Sequence, residues 1–168
     1  ECRPFYYENG KSFKDYHKEG EIFWHKYVTY TEGMSDYWDY SFFNVSVIRY
    51  ADVLLLYAEC LNDKGETTEA INIINKVRAR VNVPALPLTM GKAEVLKHLQ
   101  DKERPCELAL EGSRWYDLVR WGIVEETLKA HNKPFVENYV DTKHQLFPIP
   151  HSEFLLNPDW EQNPNYSK

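Results

Sequence analysis

The sequence predicts a mostly α fold, a helical hairpin with further short helices and irregular loops, and three observations carry that expectation. From residue 47 onward apolar residues recur at helical spacing. Gly, Asn and Pro punctuate that part into segments of helix length. Residues 1–45 are instead rich in aromatics and show no helical period. With 168 residues and 43% hydrophobic content, the chain can bury a core. The expected organisation is one domain in two parts. Residues 1–45 form an aromatic strand and loop segment, and it packs on a helical region over 46–168.

Residues 23–31 read as a strand, being rich in aromatic and β-branched side chains, and residues 31–36 read as a loop. A helix is expected from Ser46, with Val47, Ala51, Leu54, Leu55, Ala58 and Leu61 on its buried stripe. Val53, Leu56 and Tyr57 add apolar residues on other faces, which predicts packing from both sides. Residues 62–65 end it. Thr67 or Thr68 is the expected cap of the next helix, with Ala70, Ile71, Ile74, Val77 and Val81 buried. Lys76, Arg78 and Arg80 suit the negative end of its dipole. Asn82 and Pro84 stop it.

A third helical stretch runs over 92–112, interrupted by Pro105. Proline inside a helix costs roughly 3 kcal/mol, so a kink or a fresh helix with Pro105 in its first turn is expected. Residues 113–121 read as a helix closed by a left-handed Gly122, and residues 123–131 as a short one. Residues 145–149 read as extended, kept to an edge by Pro148 and Pro150. Ser152 is the expected cap of a last turn, before an irregular tail pinned by its aromatics.

Composition excludes several classes of function. A net charge of −6 argues against nucleic acid, whose phosphates need a basic surface. No apolar run reaches the roughly 18 residues of a membrane span. The three cysteines include no CxxC pair, so neither zinc nor a disulfide framework is expected. A single Cys60–Cys106 bridge is the less favoured alternative; Cys60 reads as a small buried hydrophobe in its helix. His17, His25, His98, His131, His144 and His151 form no ligand pattern, no nucleotide or nucleophile-elbow motif occurs, and no cofactor is expected.

Two features remain as candidate chemistry. Glu103, Glu107 and Glu111 recur every four residues and would share one helix face. Glu103 and Glu107 could serve as a glycosidase pair, whose carboxylates stand roughly 5–9 Å apart. Yet Arg104, Arg114 and Arg120 each lie three residues from an acid: Glu107, Glu111 and Asp117 in turn. Paired carboxylates stay ionised, which favours a structural lattice over acid catalysis. The second feature is Tyr37, Trp38 and Tyr40 in a polar segment, with Trp24 as a weaker candidate. Sugar rings stack their C–H faces on such side chains while polar tips bond hydroxyls. The bland alternative is that these rings anchor loops.

The helices over 46–81 look like one tetratricopeptide-type hairpin, with Ala58 and Ala70 at the close helix contact. One such unit cannot bury its faces alone, which suggests a larger parent protein. Three stretches then resemble the RagB/SusD family of outer-membrane nutrient-binding proteins. They are VIRYADVLLLYAE (47–59) with Ala70, Ile71 and NKVR (75–78); ERPCELALEGSRWYDLVRWG (103–122); and FPIPHSE (147–153) with Asn157, Pro158 and QNPNY (162–166). The resemblance spans nearly everything from Val47 onward. It implies a piece of an α-α superhelix with tetratricopeptide-like units and a ligand face built of loops. It also implies a lipoprotein on the outer face of a Gram-negative outer membrane. Such a protein is a lid over a TonB-dependent, SusC-like transporter and captures oligosaccharides or, in some members, peptides. It is not an enzyme.

Pro105 stands where the family carries a charged or polar residue. The family's lipidated cysteine has no counterpart here, since no apolar signal precedes Cys2, so the chain is expected to be a C-terminal piece. A helical-repeat module for peptides or proteins, and a glycoside hydrolase fragment, are the rival readings.

Overall fold

The computed structural model describes residues 46–167. The expected strand over 23–31, the loop after it, and the candidates Trp24, Tyr37, Trp38 and Tyr40 lie outside those residues. Among the described residues ten helical segments follow one another: α1 (Tyr50–Asp63), α2 (Thr67–Arg80), α3 (Lys92–His98), a π-turn (Leu99–Glu103), α4 (Arg104–Glu107), α5 (Arg114–Trp121), α6 (Val124–Ala130), a 3₁₀ turn (Pro134–Asn138), α7 (Asp141–His144) and α8 (His151–Leu156). No strand occurs among the described residues.

The α1–α2 hairpin builds the larger core. Leu55, Ala58, Ala70, Ile71 and Ile74 are fully buried, and Val95 and Leu99 join them from the next helix and the π-turn. The two alanines let the helices touch, as a tetratricopeptide-type hairpin requires. α1 begins at Tyr50 rather than Ser46, because Arg49 is extended, and this leaves Val47 93% exposed. The expectation that α1 packs from both sides is not met: Val53, Leu56, Tyr57 and Cys60 are exposed. Cys60 is therefore no buried hydrophobe, and the thiols of Cys60 and Cys106 are both free.

The expected threonine cap of α2 does not form: the cap position is Glu66, without a side-chain cap bond, and Thr67 turns instead to Asn62, which is almost fully buried. Its amide donates to Lys92 O at 2.9 Å, and its Oδ1 accepts from the Thr67 hydroxyl at 3.0 Å. One side chain thus ties the end of α1 to the starts of α2 and α3. Asn75 does similar work with both ends of its amide on the backbone of Leu86, at 3.1 and 2.7 Å. Val81 is exposed because it lies beyond the last turn of α2.

Pro105 starts a fresh helix, being the second residue of α4. The preceding π-turn lets Arg104 N reach back to Leu99 O. That widening makes room for a residue with no N–H to offer. The stretch expected to continue to residue 112 leaves the helix after Glu107, and Leu110 takes a φ of 64°. A second, smaller core gathers Leu118, Val124 and Leu128, with Trp115 and Tyr139 packed against it.

Residues 145–149 form no edge strand. Gln162 instead bonds both backbone groups of Ile149, at 2.8 and 2.9 Å, and Asn163 donates to Phe147 O at 2.7 Å. The tail supplies through side chains what a neighbouring strand would supply through its backbone. Ser152 lies inside α8, whose cap position is Pro150.

Candidate functional site

The carboxylate column is a lattice, built differently from the local pairs expected. Glu103 receives Arg78 at 2.6 Å and His98 at 2.9 Å on one oxygen. Glu107 meets Arg49 at 2.9 Å and Arg80 at 2.7 Å. Glu111 meets the same Arg49 at 2.8 Å. Arg104, 3% exposed, sits between Asp117 and Asp52, each at 2.8 Å. Its approach to Asp52 Oδ1 lacks hydrogen-bond alignment, so those two buried atoms attract as charges without a directional bond. Arg120 grips both oxygens of Glu59 at 2.6 and 2.7 Å and also meets Asp117 at 3.0 Å. Trp121 Nε1 donates to Glu59 at 2.7 Å. Of the three expected pairs only Arg120–Asp117 forms; Arg114 donates to Gln100 O.

The electrostatics of the lattice oppose acid catalysis. Burial pushes the Glu103 carboxyl up, but hydrogen bonds from His98 and Arg78 and the arginine's charge outweigh it and hold the group below its ordinary value. For Glu59, burial again works upward and the bonds from Arg120 and Trp121 prevail. A general acid needs the opposite shift. Among the described residues no cluster of His, Cys, Asp or Glu is arranged to hold a metal ion.

The described residues also form an open cleft of about 420 Å³, lined by Trp115, Phe135, Asn138, Tyr139, His144, Leu146, Phe147 and Tyr166. Trp115 meets Tyr139 edge to face, with centroids 6.2 Å apart at 81°. Tyr139 stacks on His144 at 5.7 Å and 30°. The Lys143 ammonium lies 4.8 Å from the Tyr166 ring centre.

Each wall is fixed by its neighbours. The Tyr139 hydroxyl donates to Asp141 at 2.6 Å; burial and this bond push its pKa up to about 12, so it stays protonated. His144 Nδ1 accepts the Val140 N–H at 2.8 Å, which places the neutral ring's proton on Nε2. Tyr166 donates to Leu146 O at 3.1 Å and holds the tail against the cleft. The arrangement offers flat apolar walls with few polar atoms, suited to a ring with an apolar face. Sequence reasoning missed it, since five segments spread over 52 positions contribute and no spacing links them. Phe135 and Tyr139, four residues apart just after Pro134, were the available signal.

Comparison with known proteins agrees with the three stretches. The family model described as the SusD family matches residues 5–166. Two SusD-like proteins of Formosa agariphila are 35% and 30% identical; each alignment covers 73% of this chain, but 25% and 26% of the relative. A SusD superfamily protein of Bacteroides vulgatus superposes with a TM-score of 0.64 at 36% identity, covering 71% of this chain and 27% of that one. A SusD homolog of Bacteroides thetaiotaomicron gives 0.60 at 34% identity, covering 84% and 30%. The chain thus spans about a quarter of the curated relatives it matches. With its helical hairpin, its arginine–carboxylate lattice and a family match over nearly its whole length, the chain belongs to the SusD family.

Proposed function

We propose that the protein captures oligosaccharide nutrient at the outer face of the outer membrane and passes it, chemically unchanged, to a TonB-dependent, SusC-like transporter. In this reading a lipid anchor holds the protein at the membrane. Family membership over residues 5–166 is the observation that carries the reading. Supporting it, the one column of acids that sequence offered for hydrolysis is engaged by arginines. Among the described residues no helix is long and apolar enough to cross a membrane.

Trp38, with Tyr37 and Tyr40, is the proposed stacking and hydroxyl contact, and Trp24 a further one. The test is titration calorimetry across a panel of defined oligosaccharides. Trp38→Ala should weaken binding by about 1 kcal/mol, the worth of one lost stacking partner. Unchanged affinity would remove Trp38 from the site.

A further inference from the structure

We infer that the cleft lined by Trp115, Phe135, Tyr139 and Phe147 is a sugar subsite, which takes a pyranose ring of a bound oligosaccharide. The inference rests on the glycan-binding reading above and adds a site distant in sequence from Trp38. Its volume of about 420 Å³ lies at the small end of ligand pockets, which run from roughly 300 to 1,000 Å³. Its walls are mostly aromatic, and Phe135 and Phe147 stand 54% and 70% exposed at them. A pyranose presents one apolar C–H face, which such rings cover, and a rim of hydroxyls.

Two polar groups answer the rim. The Asn138 amide lines the cleft and offers both a donor and an acceptor. His144 has its Nδ1 engaged by Val140 N, leaving Nε2–H as the ring's donor. The Tyr139 hydroxyl is already engaged, donating to Asp141 and bonded by Gln145, and adds its ring face. None of these groups is a carboxylate, so the subsite lacks the carboxylate pair that glycoside hydrolysis uses.

The site is also held in shape before anything binds. Gln162, Asn163 and Tyr166 fix the backbone of Leu146, Phe147 and Ile149 by four hydrogen bonds of 2.7–3.1 Å. A wall fixed in advance lowers the ordering cost of binding.

A stretch of polypeptide is the competing occupant, and conservative substitutions separate the two. Phe147→Leu and Phe135→Leu keep apolar bulk but lose the flat face that a sugar needs. The parent and both variants are titrated calorimetrically with gluco-, galacto-, manno-, xylo- and uronate oligosaccharides, and their melting temperatures are compared. The expected result is affinity about fivefold weaker in each variant, the scale of one lost ring contact, with melting near the parent's. Parent-like affinity in both variants would overturn the subsite while leaving the glycan reading intact. So would unchanged affinity with earlier melting, which marks a cleft closed by polypeptide. A parent that binds nothing across the panel would remove the glycan reading, and the subsite with it.

Discussion

Arg104 shows what a single residue can hold. It is almost fully buried between Asp52 and Asp117, with Arg120 bracing Asp117 from the far side. Removing one partner of a buried ion pair leaves a charge without solvent or counterion, at a cost of roughly 3–5 kcal/mol. Arg120 and Asp52 offset part of this, so Asp117→Ala should lose about 3 kcal/mol in urea denaturation. Lys129→Ala breaks only an exposed pair with Glu125 and should lose under about 0.5 kcal/mol. Equal losses would mean the lattice is ornament. That Arg104 and Arg120 pair with acids was legible in the sequence; of their partners, only Asp117 for Arg120 was. Counting along a helix yields partners three or four residues away, whereas Arg49 reaches Glu111 across 62 positions. Such pairings exist only once α1, α2 and α4 have packed.

At the scale of elements, four helices end in one way. After α1, α2, α5 and α6 the chain turns through a left-handed residue: Gly65, Asn82, Gly122 and Asn132. In each case the following N–H reaches back five residues, from Glu66 to Leu61, Val83 to Arg78, Ile123 to Leu118 and Lys133 to Leu128. This closes the last carbonyls of the helix. Gly122 has a φ of 67°, and a Cβ built there would meet nothing within 4 Å. The cost of Gly122→Ala is therefore conformational alone, about 1 kcal/mol. Gly122→Asn should cost less, because asparagine visits this region readily and already serves at residues 82 and 132. Thermal unfolding of the two variants checks the order, and equal losses would assign the effect to something other than backbone angle. Helix ends were legible because Gly and Asn mark them chemically. Helix starts were less so: Glu66 and Pro150 stand at the cap positions where Thr67 or Thr68, and Ser152, were expected to act. Nor does any spacing foretell a π-turn that accommodates Pro105.

For the whole molecule, the three stretches that carry the family likeness are three sets of mutual supports. Residues 47–59 supply Arg49, Asp52 and Glu59 to the acids and arginines of 103–122. Arg78 of α2 secures Glu103. The stretch at 147–153 is held by the tail at 162–166. Family membership was therefore legible in the sequence through its scaffold, because charged pairs and backbone-binding amides tolerate few substitutes. The aromatic cleft left no comparable trace. Stacking asks only for a flat ring in the right place, and place is set by folding. In the proposed role the protein holds sugar and does nothing to it. The most direct measurement incubates the protein with each oligosaccharide it binds and sizes the recovered sugar by chromatography. Every chain should be recovered at its original length; shortened sugars, produced by the parent and lost in Glu107→Gln, would overturn the non-catalytic role.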